Sequence, residues 1–210
     1  MELWWLLDSE KLRGLSMATV FWSVLFAQIC YFVRPNLPTP EQNWDVKNRL
    51  VSFAHGLFVI CYSTIRVIEG GEILGVKNTQ FENIMLSITL GYFLYDTICM
   101  VLTNTHDAFI MIHHGLVMAA VYTVLLFDIG GGDMVLGFFT AEWSNPFMHI
   151  KEIMKTLNLT TTRFFLWNEI AFYVLYLIFR NPIGIPVCLS IIASSTSPLL
   201  GRVCVAGILA

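Results

Sequence analysis

Seven titratable side chains interrupt stretches of this sequence that are otherwise apolar: His55, Asp96, His113, His114, Glu142, His149 and Glu169. An imidazole backed by a carboxylate is equipped to move a proton near neutral pH. Such a base would take the proton of an amine or hydroxyl attacking an acyl thioester, or would itself accept the acyl group. Helical spacing limits the pairings. Asp107 and His114 share a helix face but stand about 10 Å apart along the axis, too far for a hydrogen bond. A carboxylate orienting His113 or His114 must then come from a neighbouring helix, with Asp96 and Glu142 the candidates. Glu142, Asn145 and His149 recur at i, i+3 and i+7 as one inward stripe, and Tyr92 and Asp96, at i and i+4, form another.

Two other readings compete with proton transfer. Polar side chains within spans also hydrogen-bond helices to one another. Metal binding is the second. Adjacent helical residues point about 100° apart, so His113 and His114 are poorly placed to chelate one ion. The chain has five histidines and neither an H-x-x-x-H nor an H-x-x-H-H box, so no metal site is expected.

The elements that hold these residues belong to a membrane. Hydrophobic residues make up 56% of the chain and charged residues 13%, against roughly 25% charged in soluble proteins. A soluble fold of 210 residues has too little interior to hide that much apolar surface. The net charge of −3 and the lack of a basic run argue against a nucleic-acid partner. The five cysteines lie one per apolar stretch without C-x-x-C spacing, as small buried hydrophobes rather than a disulfide or zinc framework. Met1 to Leu7 has no basic n-region and no A-x-A site follows, so the first apolar run is expected to remain as a span.

About 20 apolar residues cross a bilayer core. Leu15–Val33 qualifies, with Trp4 and Trp5 suited to the interface before it. A connector over 34–49, with Pro35, Pro38 and Pro40, is not expected to be helical throughout. Leu50–Ile65 follows between Arg49 and Arg66, then Ile84–Leu102 and Ala108–Phe127 as an antiparallel pair across a short loop. Asp128 to Asp133 reads as a flexible glycine turn, since no strand precedes it as a phosphate loop requires. Met134–Ile150 is the fifth span. Phe164–Phe179 leads into Arg180-Asn181-Pro182 and Pro186, where the pattern permits either a hairpin or a kinked helix. A last helix from near Ser197 would be too short to cross. On alternate sides, four basic residues (Lys11, Arg13, Arg66, Lys77) face six (Arg34, Lys47, Arg49, Lys151, Lys155, Arg163), a weak orientation signal. The sequon Asn158-Leu159-Thr160 lies close to the membrane and is expected to be unoccupied.

The order of these pieces resembles the TLC domain, shared by ceramide synthases, the translocating-chain-associating membrane protein and a neuronal ceroid lipofuscinosis protein. The matching segments are Asn48-Arg49-Leu-Val-Ser52-Phe-Ala-His55, Gly91-Tyr92-x-x-x-Asp96, Asp107 followed by His113-His114, and Glu142-Trp-Ser144-Asn-Pro146-Phe147. Arg180 and Pro186, after Asn168, resemble the family's long kinked helix. Ceramide synthases use the adjacent histidines with downstream aspartates to join a fatty acyl-CoA to a sphingoid amine. This chain keeps the pair but carries Glu142-x-Ser144-Asn145-Pro146 where the synthases have two aspartates. In that it is more similar to the non-synthase TLC domain-containing proteins, most closely the fourth of that series.

The resemblance implies an all-α, polytopic transmembrane bundle of about six spans plus a short or truncated C-terminal helix, with Phe164 to Ile192 one kinked helix. Residues 1–45 would form an interfacial segment, a first span and a connector, and 46–210 the TLC domain. It further implies endoplasmic-reticulum residence and lipid handling, with membrane lipids as partners, no bound cofactor and fatty acyl-CoA as a candidate co-substrate. His113, His114, Asp96 and Glu142 are the candidate catalytic residues; His55, Tyr92, Asp107, Asn145 and Asn168 are candidates for lipid contact. Three functions stay open: acyl transfer to a lipid amine or hydroxyl, non-enzymatic lipid regulation, and passive transport or chaperone-like assistance.

Overall fold

The computed structural model describes residues 9–197, 199, 202 and 203, with side chains from residue 12 onward. The interfacial role of Trp4 and Trp5 falls outside the described residues; of the terminal segment from Ser197 only 197, 199, 202 and 203 are described, and there Arg202 Nε donates to Ile192 O at 2.7 Å. Helices follow one another in the order α1 (Ser9–Phe32), α2 (Pro40–Glu69), α3 (Gln80–Leu102), α4 (Ala108–Phe127), α5 (Gly131–Glu142) and α6 (Asn145–Thr156). Then come α7 (Arg163–Ile178), a π-helical segment (Phe179–Gly184) and α8 (Ile185–Ala193). Five stretches are long and apolar enough to cross a membrane: Leu12–Phe32, Pro40–Glu69, Gln80–Leu102, Ala108–Phe127 and Arg163–Ala193.

Local chemistry sets where these helices start. Thr39 caps α2 by accepting from Gln42 N, with Pro40 at the first position, where its missing N–H costs nothing. The connector therefore turns helical ten residues before the apolar run at Leu50. Thr79 and Glu82 form a reciprocal capping box on α3, and Thr162 caps α7. Asp107 accepts from Phe109 N and Ile110 N and so caps α4.

Two prolines decide the second half of the chain. The expected fifth span, Met134–Ile150, is divided into α5 and α6 at Trp143–Ser144. Pro146 has no N–H for the Glu142 carbonyl and its ring would collide with that group, so the helix cannot run through. At Pro182 the outcome differs: the backbone widens into the π-helical segment and continues. Arg163–Ala193 is thus one bent helix, and the hairpin alternative is excluded.

The Asp128–Asp133 turn is shorter than expected. Asp128 takes a left-handed conformation at φ 55°, and helix α5 already begins at Gly131. A Cβ on Gly131 would stand 2.8 Å from Asn78 Oδ1, and one on Gly132 2.4 Å from Ile73 O. These glycines let α5 press onto the 73–78 loop. Asn78 ties this end together: it accepts from Gly131 N (2.6 Å) and donates to Asn83 Oδ1 (2.8 Å) and Val124 O (3.1 Å). Beside it, Arg66 Nε meets the fully buried Glu82 Oε1 at 2.8 Å. The core between helices is apolar, built on Trp22, Val51, Val59, Leu86, Val121 and Val135.

Candidate functional site

Helices α2, α3 and α4 bring Asn48, Asp96 and His114 together, all buried. Asn48 Nδ2 donates to Asp96 Oδ1 at 2.6 Å, and Asn48 Oδ1 accepts from the Tyr95 hydroxyl at 2.7 Å. The amide thus fixes one carboxylate oxygen. The other, Oδ2, faces His114 Nε2 at 3.6 Å, beyond hydrogen-bond length. The second ring nitrogen, Nδ1, faces Thr97 Oγ1 at 3.3 Å. Both nitrogens of His114 are therefore directed at protein neighbours, and Phe93 closes edge-on over the ring at 5.1 Å between centroids.

His113 goes the other way. Its side chain is exposed on α4, and its electrostatic neighbour is Arg180 of the π-helical segment. The doublet is divided between a buried and an exposed side chain pointing about 100° apart, as the step between helical neighbours requires. Asp107 is also exposed and spends its carboxylate on the helix cap, away from His114.

The rest of the polar interior gathers at the break between α5 and α6. Glu142 Oε2 accepts from Asn145 Nδ2 at 2.9 Å. Opposite stands Gly56 of α2, where a Cβ would lie 3.3 Å from Pro146 and 3.7 Å from Glu142 Oε2. Arg180, from the π-helical segment, donates through Nη2 to Ala141 O (3.0 Å) and Asn145 Oδ1 (3.3 Å). A broken helix leaves its last carbonyls without partners, and this guanidinium supplies one. Asn168 of α7 donates to Phe147 O, in the first turn of α6, at 2.9 Å and ties α7 to that helix. Trp143 stacks on Phe179 at 4.9 Å, which locks the break against the bent helix. Glu169 is half-buried with no hydrogen bond or ion pair among the described residues.

His55 lies flat on Tyr92, centroids 3.6 Å apart and planes 8° from parallel, with Trp22 edge-on to both at 5.6 Å. His149 and His114 act on it electrostatically. Several buried polar atoms of α2, the α5–α6 region and the π-helical segment have no hydrogen-bond partner among the described residues: His55 Nε2, His149 Nδ1, Ser144 Oγ, Trp143 Nε1 and Arg180 Nε. Native interiors leave few such atoms, and those at Trp143 and Arg180 are pure donors. They suit an oxygen acceptor.

Asn48, Ser144, Trp143 and Arg180 were not among the residues expected to carry the site. Arg180 carried a usable signal, since an arginine inside an apolar stretch faces a partner or a cavity. Asn48 carried none beyond its place in the Asn48–His55 segment.

Membrane-length helices around a polar interior of histidines, carboxylates and amides define an integral, multi-pass α-helical membrane protein. The chain belongs to the TLC domain family, whose TLC domain matches residues 39–208, starting at the Thr39 cap of α2. It is similar to TLC domain-containing protein 2 of Danio rerio, 25% identical over 167 residues that cover 75% of this chain and 68% of that protein. It is also similar to TLC domain-containing protein 1 of Homo sapiens, 27% identical over 148 residues covering 67% and 59%. The chain thus spans about three-fifths to two-thirds of the length of these relatives. No solved structure matches it.

Proposed function

We propose that this protein binds the oxygen-bearing part of a membrane lipid at the α5–α6 break and through that binding adjusts membrane lipid composition. The observation that carries this reading is that Trp143 Nε1 and Ser144 Oγ, at the break, and Arg180 Nε, on the segment that closes it, are buried without a partner among the described residues. An ester or phosphate oxygen satisfies them; an acyl chain then lies among the apolar walls. Family membership supports a lipid role and an endoplasmic-reticulum location. The Glu142-x-Ser144-Asn145-Pro146 pattern supports a place among the non-synthase members, the fourth of that series included.

A second reading is acyl-CoA-dependent transfer to a lipid amine or hydroxyl, with Asp96 orienting His114 as base. The buried Asp96–His114 pair favours it. Against it stands the direction of both His114 nitrogens toward Asp96 and Thr97. Passive transport or assistance to other membrane proteins has no comparable observation behind it.

The test is mass spectrometry of lipids retained after gentle detergent extraction, together with an acyl-CoA consumption assay. Trp143→Phe and Ser144→Ala should each lower lipid retention, with acyl-CoA untouched by every variant. Acyl-CoA consumption that disappears in His114→Ala would replace this reading with acyl transfer. Full lipid retention in the double variant would reject the break as the binding point.

A further inference from the structure

The recess between α1, α2 and α3 lies on the far side of Trp22 from the polar interior. It holds about 800 Å³, within the usual range for small-molecule sites. We propose that it binds one acyl chain of a membrane phospholipid, as a site separate from the α5–α6 break.

The recess exists because α1 and α3 touch closely at one level and part at another. A Cβ on Gly91 would come within 2.5 Å of Ala18 Cβ and 2.9 Å of Thr19 N, so the backbones meet there. One turn earlier on α1, nothing lies within 4 Å of the position a Gly14 Cβ would take. Met17 and Phe21 of α1, Ala54 and Phe58 of α2, and Ile84 and Ile88 of α3 wall the space that opens.

These helices are of membrane-crossing length, so the recess lies at hydrocarbon depth. Apolar walls at that depth do not hold water, and the surrounding bilayer supplies hydrocarbon to fill them. Moving a chain from bilayer to recess gives no hydrophobic gain, so retention rests on packing. The wall is built for that. Trp22 is fixed by its Nε1 bond to Ile88 O at 3.1 Å, and Phe21 and Phe58 stand edge-on to it at 5.1 and 6.4 Å.

The open end commits the occupant to a phospholipid. Gln80 borders the recess and Arg13 precedes Gly14; both are exposed and have no hydrogen-bond or ion-pair partner among the described residues. An amide and a guanidinium at the membrane boundary fit a phosphate-bearing headgroup above the chain. On its inner side the Trp22 indole contacts His55 and Tyr92, so one side chain partitions recess from polar interior.

The experiment uses the full chain in phosphatidylcholine nanodiscs carrying a trace of phosphatidylcholine with a diazirine in its acyl chain. After photolysis, adducts are mapped by mass spectrometry. Adducts should concentrate on Met17, Phe21 and Ile84 over Phe109 and Leu166, which face lipid on other helices. Gly14→Phe, whose Cβ enters open space at the recess, should lower the recess adducts roughly fivefold or more, with Phe109 labelling and melting temperature unchanged. Gly14→Ala should stay near wild type, which separates filling from a backbone effect. Uniform labelling of all lipid-facing residues, or recess labelling indifferent to Gly14→Phe, would overturn the proposal. So would a recess labelled by a diazirine sterol or free fatty acid but not by the phospholipid. Trp143→Phe should leave recess labelling intact, so this site and the break succeed or fail independently.

Discussion

Arg180 Nη2 donates to the carbonyl of Ala141, 39 residues earlier, at 3.0 Å, and so closes the end of a helix that Pro146 has cut. The same guanidinium reaches Asn145 Oδ1 and lies over the Tyr176 ring at 5.3 Å. One cation from the bent helix holds both sides of the break. Discontinuous helices at membrane depth need such protein partners, because lipid offers none.

Replacing Arg180 by Ala should therefore destabilise the protein by about 2–3 kcal/mol, the range for hydrogen bonds to charged groups. Arg180→Lys should recover only part of this: a single ammonium nitrogen can serve both acceptors, as Nη2 does, but it does not reproduce the planar guanidinium over the Tyr176 ring. Melting curves in a fixed detergent read the effect; an unchanged midpoint for Arg180→Ala would mean that water serves the Ala141 carbonyl equally well.

Asn48 bridges Asp96 and Tyr95 with both ends of its amide. Asn48→Asp should cost several kcal/mol, because it removes a donor and sets a second carboxylate against the first in a buried place. The exchange Asn48→Asp with Asp96→Asn keeps one amide and one carboxylate and should restore most of the loss. A double-mutant cycle on melting free energies measures the coupling, expected at about 1–3 kcal/mol. Additive losses would show that the two side chains do not act as a pair.

The histidine doublet should behave asymmetrically. His113→Ala, on an exposed surface, should change stability by no more than about 0.5 kcal/mol. His114→Ala removes a buried ring facing Thr97 and Asp96 and should cost about 2 kcal/mol or more. Equal losses from both would contradict the difference in burial between the two rings.

Close approach of α1 and α3 depends on Gly91. Gly91→Ala should force the helices apart and expose Cys99, buried at 7%, to faster maleimide labelling in detergent. Gly115→Ala, with nothing within 4 Å of the new Cβ, should be neutral or stabilise by about 0.5–1 kcal/mol. A neutral Gly91→Ala would place the contact elsewhere.

Sequence alone determined the solvent and the element type. Long apolar runs at Leu15–Val33, Ile84–Leu102 (interrupted only by Asp96) and Ala108–Phe127 demand membrane helices, because backbone groups in hydrocarbon must be satisfied within the segment. It also determined that Asp107 could not reach His114, since that distance follows from helical rise alone. Which of His113 and His114 turns inward was open to it, because a doublet presents both directions and the choice depends on where α3 packs. Whether Pro146 would break its helix and Pro182 merely bend one was equally open: the same missing N–H has two remedies. At Pro146 the gap is bridged by Arg180 from a distant segment; at Pro182 the local backbone widens. The tertiary structure also chose Asn48 as the partner of Asp96, 48 residues away, since hydrogen bonds between helices follow packing rather than chain order.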